Sequence, residues 1–521
     1  MGVKIDKNNS FGFTLIEIIA IIVLLSVIAL LTYPIINNVI DDSKEELYIK
    51  QINELERLSN TWVTNNISKL KIEEGYIYNL SFEELYEQGL ITEEDIKNPK
   101  TDELLDGCVV VTYNSNNNGY DVAYDSSCTT TGEVILYKDN SGANRPKLFN
   151  NMVPIKYKNN KWVVANTSEK WYDYDAKEWA NAVVLNSGVT KNVSDEVTEE
   201  EISLWYVWVP RYKYTIFNGN NGSVSEQLID VTFENDTERT GTVSCYDNFD
   251  EENRSEICGD RVYGSVKNNK STYTHPAFKF GNTELTGFWV GKFEVSGSTS
   301  AITIQPNVPS LRNETISSFF TAIQNVKTTY GITNADSHML KNMEWGAVAY
   351  LKQSKYGLGT TDIAINDNSS FYTGGGQSDA YKTKVAQSTT GNIYGVYDMS
   401  GGAWEYVMGN VNNSSNAFYS SNAGFTTAPD AKYYDSYKYD TTNASHARGK
   451  LGDATKETLT TFGNTRGGWY SDFAFFPRSS NPWFYRGGYY NNGTYAGVFY
   501  FSYYDGGDHP YSSARAVLSA Q

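Results

Sequence analysis

The feature that most constrains this chain is an uninterrupted apolar run near its N-terminus. Residues 13–33 read FTLIEIIAIIVLLSVIALLTY and contain a single charge, Glu17. A helix of about 20 apolar residues is long enough to cross a bilayer. No small-residue cleavage site follows the run, so it does not fit a conventional signal peptide. The sequence therefore predicts a single-pass membrane precursor in which Glu17 needs a partner, because an acid inside a membrane span is costly.

The start of this run resembles the leader of type IV prepilins. The resemblance lies in SFGFTLIEIIAIIVLL, and it implies cleavage after Gly12 and N-methylation of Phe13. It also implies that Glu17 pairs with the terminal amine of a neighbouring subunit during filament assembly. The implied partners are a prepilin peptidase, other pilin subunits, and the inner or cytoplasmic membrane around the N-terminal helix. The mature protein would then lie at the cell surface or in an extracellular pilus.

A helical pattern continues beyond the apolar run. Tyr48, Ile52, Leu55, Leu58 and Trp62 recur every three or four residues and form one apolar stripe. The stripe predicts a stem helix that packs against a small head. The predicted domains are a leader over residues 1–12, a transmembrane and stem helix over 13–65, a small pilin head over 66–145, and a ligand-binding domain over 146–521.

Short local signals define the predicted head. Ser81 followed by Glu84, and Thr92 followed by Asp95, are capping boxes that predict two helix starts. The segments CVVVTY and YDVAYDSSC are separated by the turn NSNNNG. They predict an antiparallel hairpin.

The cysteines fall into two pairs by spacing, Cys108 with Cys128 and Cys245 with Cys258. This grouping indicates two disulfides formed in an oxidising compartment. Neither pair has CxxC spacing, and no histidine lies beside another histidine or a cysteine, so a zinc site is not expected. Several loops are rich in Asp and Asn, so the sequence leaves open whether the chain binds a structural calcium ion.

The region after residue 150 has a different texture, with short aromatic segments between turn residues. WYVWVPRYKYTIF and GFWVGKFEVSG are the clearest predicted strands. One helix is predicted in KNMEWGAVAYLKQSKYG, because Trp345, Val348 and Leu351 share a helical face.

Several phrases in this region resemble the formylglycine-generating-enzyme-like family. They include GFWVGKFEVSG, GNIYGVYDMSGGAWEYVMGN, TRGGWYSDFAFF and the closing ARAVL, with departures from the family pattern at Gly402, Ala403 and Ala514. The resemblance implies a C-type-lectin-like fold of mixed, irregular structure. The expected fold class is therefore α+β: a long N-terminal pilin helix with a small α/β pilin head, followed by the lectin-like domain.

Structural roles are expected for several residues of these phrases. Trp404 and Trp469 are predicted core anchors, and the glycine pair 487–488 would permit a tight turn. If Arg466 or Arg486 is buried, it needs carbonyl or carboxylate partners.

Enzymatic activity is not expected. Formylglycine-generating enzymes need a pair of active-site cysteines to bind copper, and residues 259–521 contain no cysteine. The sequence also has no G-x-S-x-G, G-x-x-x-x-G-K or HExxH motif. We expect no catalytic residue and no cofactor.

The most unusual segment is a C-terminal strip, residues 483–511. Twelve of its 29 residues are aromatic, against 14% for the whole chain. Interleaved Gly, Asn, Ser and Asp make it similar to an antibody paratope. The segment RGGYYNNGTYAGVF, together with the closing ARAVL, also resembles variable proteins diversified by retroelements, which display such residues at a ligand site. Alternatively the rings pack inward, as we expect for Phe499 and Phe501 beside Tyr500. The predicted ligand residues are Tyr485, Tyr489, Tyr490, Tyr495, Tyr500, Tyr503, Tyr504, Asp505, Asp508, His509 and Tyr511.

The charge of the chain excludes one class of partner. The formal net charge is −18, which argues against nucleic acid binding. The sequence therefore predicts a minor or tip pilin-like surface subunit with an adhesin-like, hypervariable lectin domain that binds an unknown protein or glycan. The alternative is a structural pseudopilin that primes or caps filament assembly without a ligand of its own.

Overall fold

The computed structural model describes residues 15–72, 76–114, 118–126, 128, 130–215, 226–241, 272–412, 422–461 and 463–520. The chain divides into two compact units, Met1–Ile135 and Leu136–Gln521. Each unit has an apolar core of its own.

The first unit begins with helix α1, Leu15–Asn65, which is 51 residues long. Two residues of the predicted stripe, Leu55 and Trp62, are buried in the core of this unit. The Trp62 ring stacks on Tyr78 with ring centroids 5.4 Å apart. The predicted packing of the helix against a small head is therefore confirmed for its C-terminal part.

The predicted membrane span in this helix is not found. A helix that crosses a bilayer needs about 20 mostly apolar residues. Among the helices of the described residues, none combines that length with that apolarity. The expected single-pass membrane precursor is therefore wrong. Gly12 and Phe13 lie outside the described residues, as does the side chain of Glu17, so the roles assigned to these three residues stay predictions.

A small antiparallel sheet packs on the end of α1. Its strands are β1 Ile77–Leu80, β2 Cys108–Asn114, β3 Gly119–Asp125 and β4 Gly132–Val134, and the helix α2 spans Phe82–Glu87. Within the described residues the strand order is β3-β2-β1-β4, and Ser81 and Glu84 form the predicted capping box at the start of α2. Cys108 and Cys128 form the predicted disulfide, with Cα atoms 5.5 Å apart, whereas residues 245 and 258 lie outside the described residues.

The large unit is built from many short strands and a few short helices. Its strands are β5 Met152–Lys158, β6 Lys161–Val164, β7 Asn181–Leu185, β8 Ile202–Pro210, β9 Tyr212–Thr215, β10 Asp230–Phe233, β11 Tyr273–Thr274, β12 Lys279–Phe280, β13 Thr283–Glu284, β14 Gly287–Gly291, β15 Ser296–Ser298, β16 Ala301–Thr303, β17 Asp336–Met339, β18 Trp404–Asn412, β19 Asp435–Lys438, β20 Trp483–Gly487, β21 Gly497–Tyr504, β22 Ser512–Ala514 and β23 Ala516–Ser519. Its α-helices are α3 Ile316–Gln324, α4 Val326–Thr329, α5 Asn342–Lys352 and α6 Ala380–Thr383.

The larger sheet forms the centre of this unit. Within the described residues its order is β17-β23-β14-β8-β7-β5-β6, with antiparallel pairs throughout. Every residue of β8 is buried, which explains its continuous run of apolar residues, ISLWYVWVP. Because β23 lies between β14 and β17, the C-terminal segment is part of the core. The predicted strands in WYVWVPRYKYTIF and GFWVGKFEVSG are confirmed.

The second sheet contains both strands formed by the C-terminal strip, β20 and β21. Its order within the described residues is β19-β18-β20-β21, with β22 beside β18. Helix α5 confirms the predicted helix, and all of its residues are buried. This helix packs among the sheets because Ala and Gly leave room on its surface while Trp345 and Leu351 fill the core.

The predicted α+β class with a pilin helix is wrong. Sheets carry the fold of the described chain, and apart from α1 its helices are at most 11 residues long. The physical reason is that the aromatic and β-branched segments pair as strands and bury both faces. The mixed sheets and short helices of the large unit are consistent with a C-type-lectin-like domain.

Candidate functional site

The C-terminal strip, residues 483–511, folds into paired strands and two loops. β20 pairs antiparallel with β21, and the pairing shifts register after Arg486. The next residues, Gly487 and Gly488, have φ angles of 77° and 73°, which side chains rarely adopt. The glycine pair therefore turns the chain sharply out of β20 and into the loop that follows, as predicted.

Trp404 lies at the centre of a half-exposed group of rings. Its ring centroid is 4.2 Å from that of Tyr489, 5.5 Å from His509 and 6.4 Å from Tyr511. Tyr489 and Tyr511 stack on each other at 5.4 Å, and His509 lies 5.1 Å from Tyr504. We call this group the Trp404 surface; its members are Trp404, Tyr489, Tyr490, Tyr504, His509 and Tyr511.

Two residues from outside the strip support the edge of the Trp404 surface. The ring of Phe371 is 4.9 Å from Tyr490 and 5.7 Å from Tyr511. The guanidinium group of Arg312 lies 3.9 Å from the centroid of the Phe371 ring. Phe371 has a φ angle of 59°, which is rare for a bulky residue and is held here by the surrounding contacts. Sequence reasoning missed both residues, since they are more than 100 positions from the strip.

The tyrosines of the Trp404 surface have hydroxyl groups available to a ligand. Within the described residues, the hydroxyls of Tyr489, Tyr490, Tyr504 and Tyr511 have no hydrogen-bond partner. Tyr511 is 38% exposed, and the other three side chains are partly exposed. Rigid rings with accessible hydroxyls are typical of recognition surfaces.

Two predicted ligand residues lie in the interior instead. Tyr485 and Tyr500 are each 3% exposed. The Tyr485 hydroxyl is hydrogen-bonded to that of Ser512, and Trp404 Nε1 donates to the Tyr500 hydroxyl at 3.1 Å. Burial raises the pKa of Tyr500 to about 12. The prediction that these two tyrosines contact a ligand is therefore wrong; they lie beneath the Trp404 surface and hold its central ring.

Tyr495 and Tyr503 form a separate aromatic group. Tyr495 is 41% exposed and stacks on Phe473 at 4.6 Å. Tyr503 lies 6.3 Å from Phe475 and 5.1 Å from the Arg478 guanidinium. In the described part of the chain, no ring contact joins either tyrosine to the Trp404 surface. The structure thus splits the predicted strip into two groups.

The polar residues of the strip differ in their surroundings. Asp505 accepts hydrogen bonds from the Asn422 side chain at 2.6 Å and from the Gly507 N–H at 2.9 Å, whereas Asp508 is exposed. Burial lowers the pKa of His509, which favours its neutral imidazole. Among the described residues, no cluster of three or more His, Cys, Asp or Glu is placed to hold a metal ion.

A buried ion pair fixes the base of the Trp404 surface. Arg515 donates to the Glu405 carboxylate at 2.9 Å and to the backbone oxygens of Gly291 and Tyr397 at 2.8 and 2.9 Å. Burial alone would lower the pKa of Arg515. The Glu405 carboxylate outweighs this effect and holds the pKa of Arg515 above its usual value. Because Glu405 follows Trp404, the pair ties the start of β18 to the C-terminal segment. The only sequence signal was one charge in each of the apolar segments WEYVM and ARAVL.

The predicted structural residues have mixed outcomes. Trp469 is buried, which confirms it as a core anchor, whereas Trp404 is only partly buried and packs against the core from its surface. Arg486 is buried and donates to the Ala454 carbonyl at 3.1 Å, as expected for a buried arginine. Arg466 is exposed.

Comparisons with known proteins add little. No family model matches the chain, and no curated protein matches it. Three solved structures show similarity at 11% identity: the Major Tropism Determinant I1 variant (79% of this chain, 81% of that chain, TM-score 0.25), the M1 variant (79% and 80%, 0.26) and the U1 variant (80% and 81%, 0.25). TM-scores this low carry no argument about the fold, so the lectin-like assignment stays a prediction.

Proposed function

We propose that the large unit is a binding module of the adhesin type and that the Trp404 surface recognises its protein or glycan ligand. The observation that carries the proposal is the arrangement of the rings. They are partly exposed, they stack on one another, and the hydroxyls of four tyrosines have no partner within the described residues. A pilin role is not part of the proposal, because no described helix meets the requirements of a membrane span.

The physical basis is preorganisation. Tyr489 and Tyr511 are stacked, and Trp404 is held from below by its hydrogen bond to Tyr500. Ordering loose side chains opposes binding, and rings that are already packed avoid most of that entropy loss. The ion pair of Glu405 with Arg515 keeps the base rigid.

We also propose that the exposed members of this surface tolerate substitution. Tyr489, Tyr490 and Tyr511 lie in loops between frame residues, so changing them leaves the buried ion pair and strand pairing intact. This agrees with the resemblance to retroelement-diversified proteins. This tolerance is checked by sequencing copies of the gene: the differences between copies should be confined to these positions.

A further part of the proposal is that the module binds without catalysis. Residues 259–521 have no cysteine, so they lack the thiolates that copper-dependent formylglycine formation requires. The purified chain should not oxidise a sulfatase-type cysteine peptide in the presence of copper. Any turnover above a copper-only control would refute the absence of catalysis.

The recognition role is tested by screening the full chain on a glycan array and on a library of extracellular protein domains. For each ligand found, affinity is compared between wild type and the double variant Tyr489→Ala/Tyr511→Ala. Truncating buried aromatic anchors removes about 2 kcal/mol or more, so we expect about a 30-fold loss or greater. The matched control is Tyr439→Ala, which removes a ring that is 43% exposed elsewhere in the unit. Unchanged affinity of the double variant would place the binding site elsewhere.

A further inference from the structure

A cavity adjoins the Trp404 surface. Its volume is about 800 Å³, within the range of small-molecule sites. The residues that matter for its chemistry are Gly297, Thr303, Gln305, Ser310, Arg312 and Pro510. Pro510 lies between His509 and Tyr511 in sequence, so one wall of the cavity is continuous with the Trp404 surface.

A second wall of the cavity, residues 310–313, is held by backbone hydrogen bonds. The N–H of Ser310 donates to the Phe371 carbonyl at 2.9 Å, and that of Asn313 donates to the His509 carbonyl at 3.1 Å. Arg312 Nη1 donates to the Pro510 carbonyl at 2.5 Å. The wall is therefore anchored directly to the loop that carries the Trp404 surface.

Two donors in this wall have no partner among the described residues. Ser310 is 5% exposed, yet within the described residues its hydroxyl has no hydrogen-bond partner. The same holds for the buried Nε of Arg312. Buried polar groups are nearly always hydrogen-bonded, so two unpaired donors lining one cavity indicate a missing acceptor.

The charge of Arg312 is not neutralised within the described structure. No carboxylate of the described residues forms an ion pair with Arg312. The acid that acts on it electrostatically is Glu294, but burial raises the pKa of Glu294 well above its usual range, which favours the neutral form. The net charge of −18 repels anions at long range. At physiological salt this repulsion is screened beyond about 8 Å, so short-range contacts decide binding.

We propose that the cavity binds the carboxylate of an acidic sugar residue, with Arg312 and Ser310 as its donors. The inference rests on the proposed function, because the same ligand would extend from the cavity onto the Trp404 surface. A guanidinium group pairs with a carboxylate through charge-assisted hydrogen bonds, and a serine hydroxyl adds a further donor. A sugar ring fits because its C–H face can pack on the exposed ring of Tyr511, which stacks on the buried Phe371 ring beside the guanidinium.

The test measures binding of glucuronate, glucose and acetate to the full chain by ligand-observed NMR titration. Glucuronate and glucose differ only in the carboxylate, so glucuronate should bind at least tenfold more tightly. Acetate should bind at least tenfold more weakly than glucuronate, because it lacks the ring. Arg312→Gln should abolish the preference for glucuronate over glucose, and the control Arg466→Gln, at an exposed arginine, should leave it unchanged.

A second variant covers the case in which Arg312→Gln does not fold. Ser310→Ala removes one hydroxyl from the cavity and should weaken glucuronate binding several-fold while the melting temperature is preserved. The inference is overturned by equal binding of glucuronate and glucose, by acetate binding as tightly as glucuronate, or by glucuronate binding that Ser310→Ala or a folded Arg312→Gln leaves intact. If glucuronate does not bind, but the affinity for a ligand from the screens still depends on Tyr489 and Tyr511, only the inferred carboxylate site is refuted. If the ring variants bind that ligand normally, the proposed function itself fails.

Discussion

The large unit contains two groups of tyrosines that differ in what their hydroxyls contact. We call one the Glu457 cluster: Tyr214, Tyr350, Gly452 and Glu457. In this cluster, Tyr214 and Tyr350 donate to the buried Glu457 carboxylate at 2.9 and 2.7 Å, and the Gly452 N–H donates at 2.5 Å. In the Trp404 surface, four tyrosine hydroxyls have no partner within the described residues.

This difference separates framework from recognition. A buried tyrosine whose hydroxyl is already bonded adds to stability, because a buried polar group left unpaired costs about 1–3 kcal/mol. A half-exposed tyrosine whose hydroxyl has no protein partner contributes little to folding and keeps its donor for another molecule. The same residue type therefore serves both roles, and tyrosine content alone does not identify a binding surface.

The largest expected effect is on the Glu457 cluster. Glu457→Ala leaves the hydroxyls of Tyr214 and Tyr350 buried without their acceptor and opens a cavity. We expect a loss of about 3 kcal/mol or more in the free energy of unfolding, measured by denaturant titration. Glu169→Ala, at an exposed glutamate, should change it by no more than about 0.5 kcal/mol. If Glu457→Ala lowers the free energy of unfolding by less than about 1 kcal/mol, the Glu457 cluster does not stabilise the fold as we describe.

The cluster should also make stability depend on pH. Burial raises the pKa of Glu457 to about 7, from an ordinary value of 4.5. The folded state then holds a proton that the unfolded state has released, so this contribution to stability falls as pH rises from about 4.5 to about 7. Subtracting the pH profile of Glu457→Gln from that of wild type should isolate this fall. Parallel profiles would contradict it.

The smallest effect comes from removing single hydroxyls. Tyr350→Phe deletes a buried hydrogen bond and should cost about 1–2 kcal/mol of unfolding free energy. Tyr489→Phe keeps the ring and deletes a hydroxyl that has no partner among the described residues, so it should cost at most about 0.5 kcal/mol. Thermal and chemical denaturation of both variants check the contrast, and equal losses would erase the distinction between the two regions.

Local features of this protein were predictable from the sequence. The capping box of Ser81 with Glu84 and the hairpin closed by Cys108 and Cys128 depend on neighbours within about 20 positions. The helix at residues 342–352 and the aromatic strands were also found, because their patterns lie within one element.

Long-range packing was not predictable in the same way. The half-exposure of Trp404 depends on Tyr489, His509 and Tyr511, which are brought to it by the pairing of β18 with β20 and β22. Strand alternation placed Tyr500 on the outward face of β21, but the rings above it cover that face. The α+β assignment was wrong because it relied on one long N-terminal helix, whereas many short strands carry the fold of the described residues.

The most direct test of the central claim compares two tryptophans. Trp404→Phe and Trp469→Phe make the same chemical change at a half-exposed and at a fully buried position. The affinity for a ligand found in the screens and the melting temperature are measured for both. We expect Trp404→Phe to lose at least tenfold in affinity with a modest fall in melting temperature, because the buried Tyr500 hydroxyl loses its donor. We expect Trp469→Phe to lower the melting temperature further while the folded fraction still binds. If Trp404→Phe instead destabilises the unit as much as Trp469→Phe and binds normally, the Trp404 surface is part of the framework and the account is wrong.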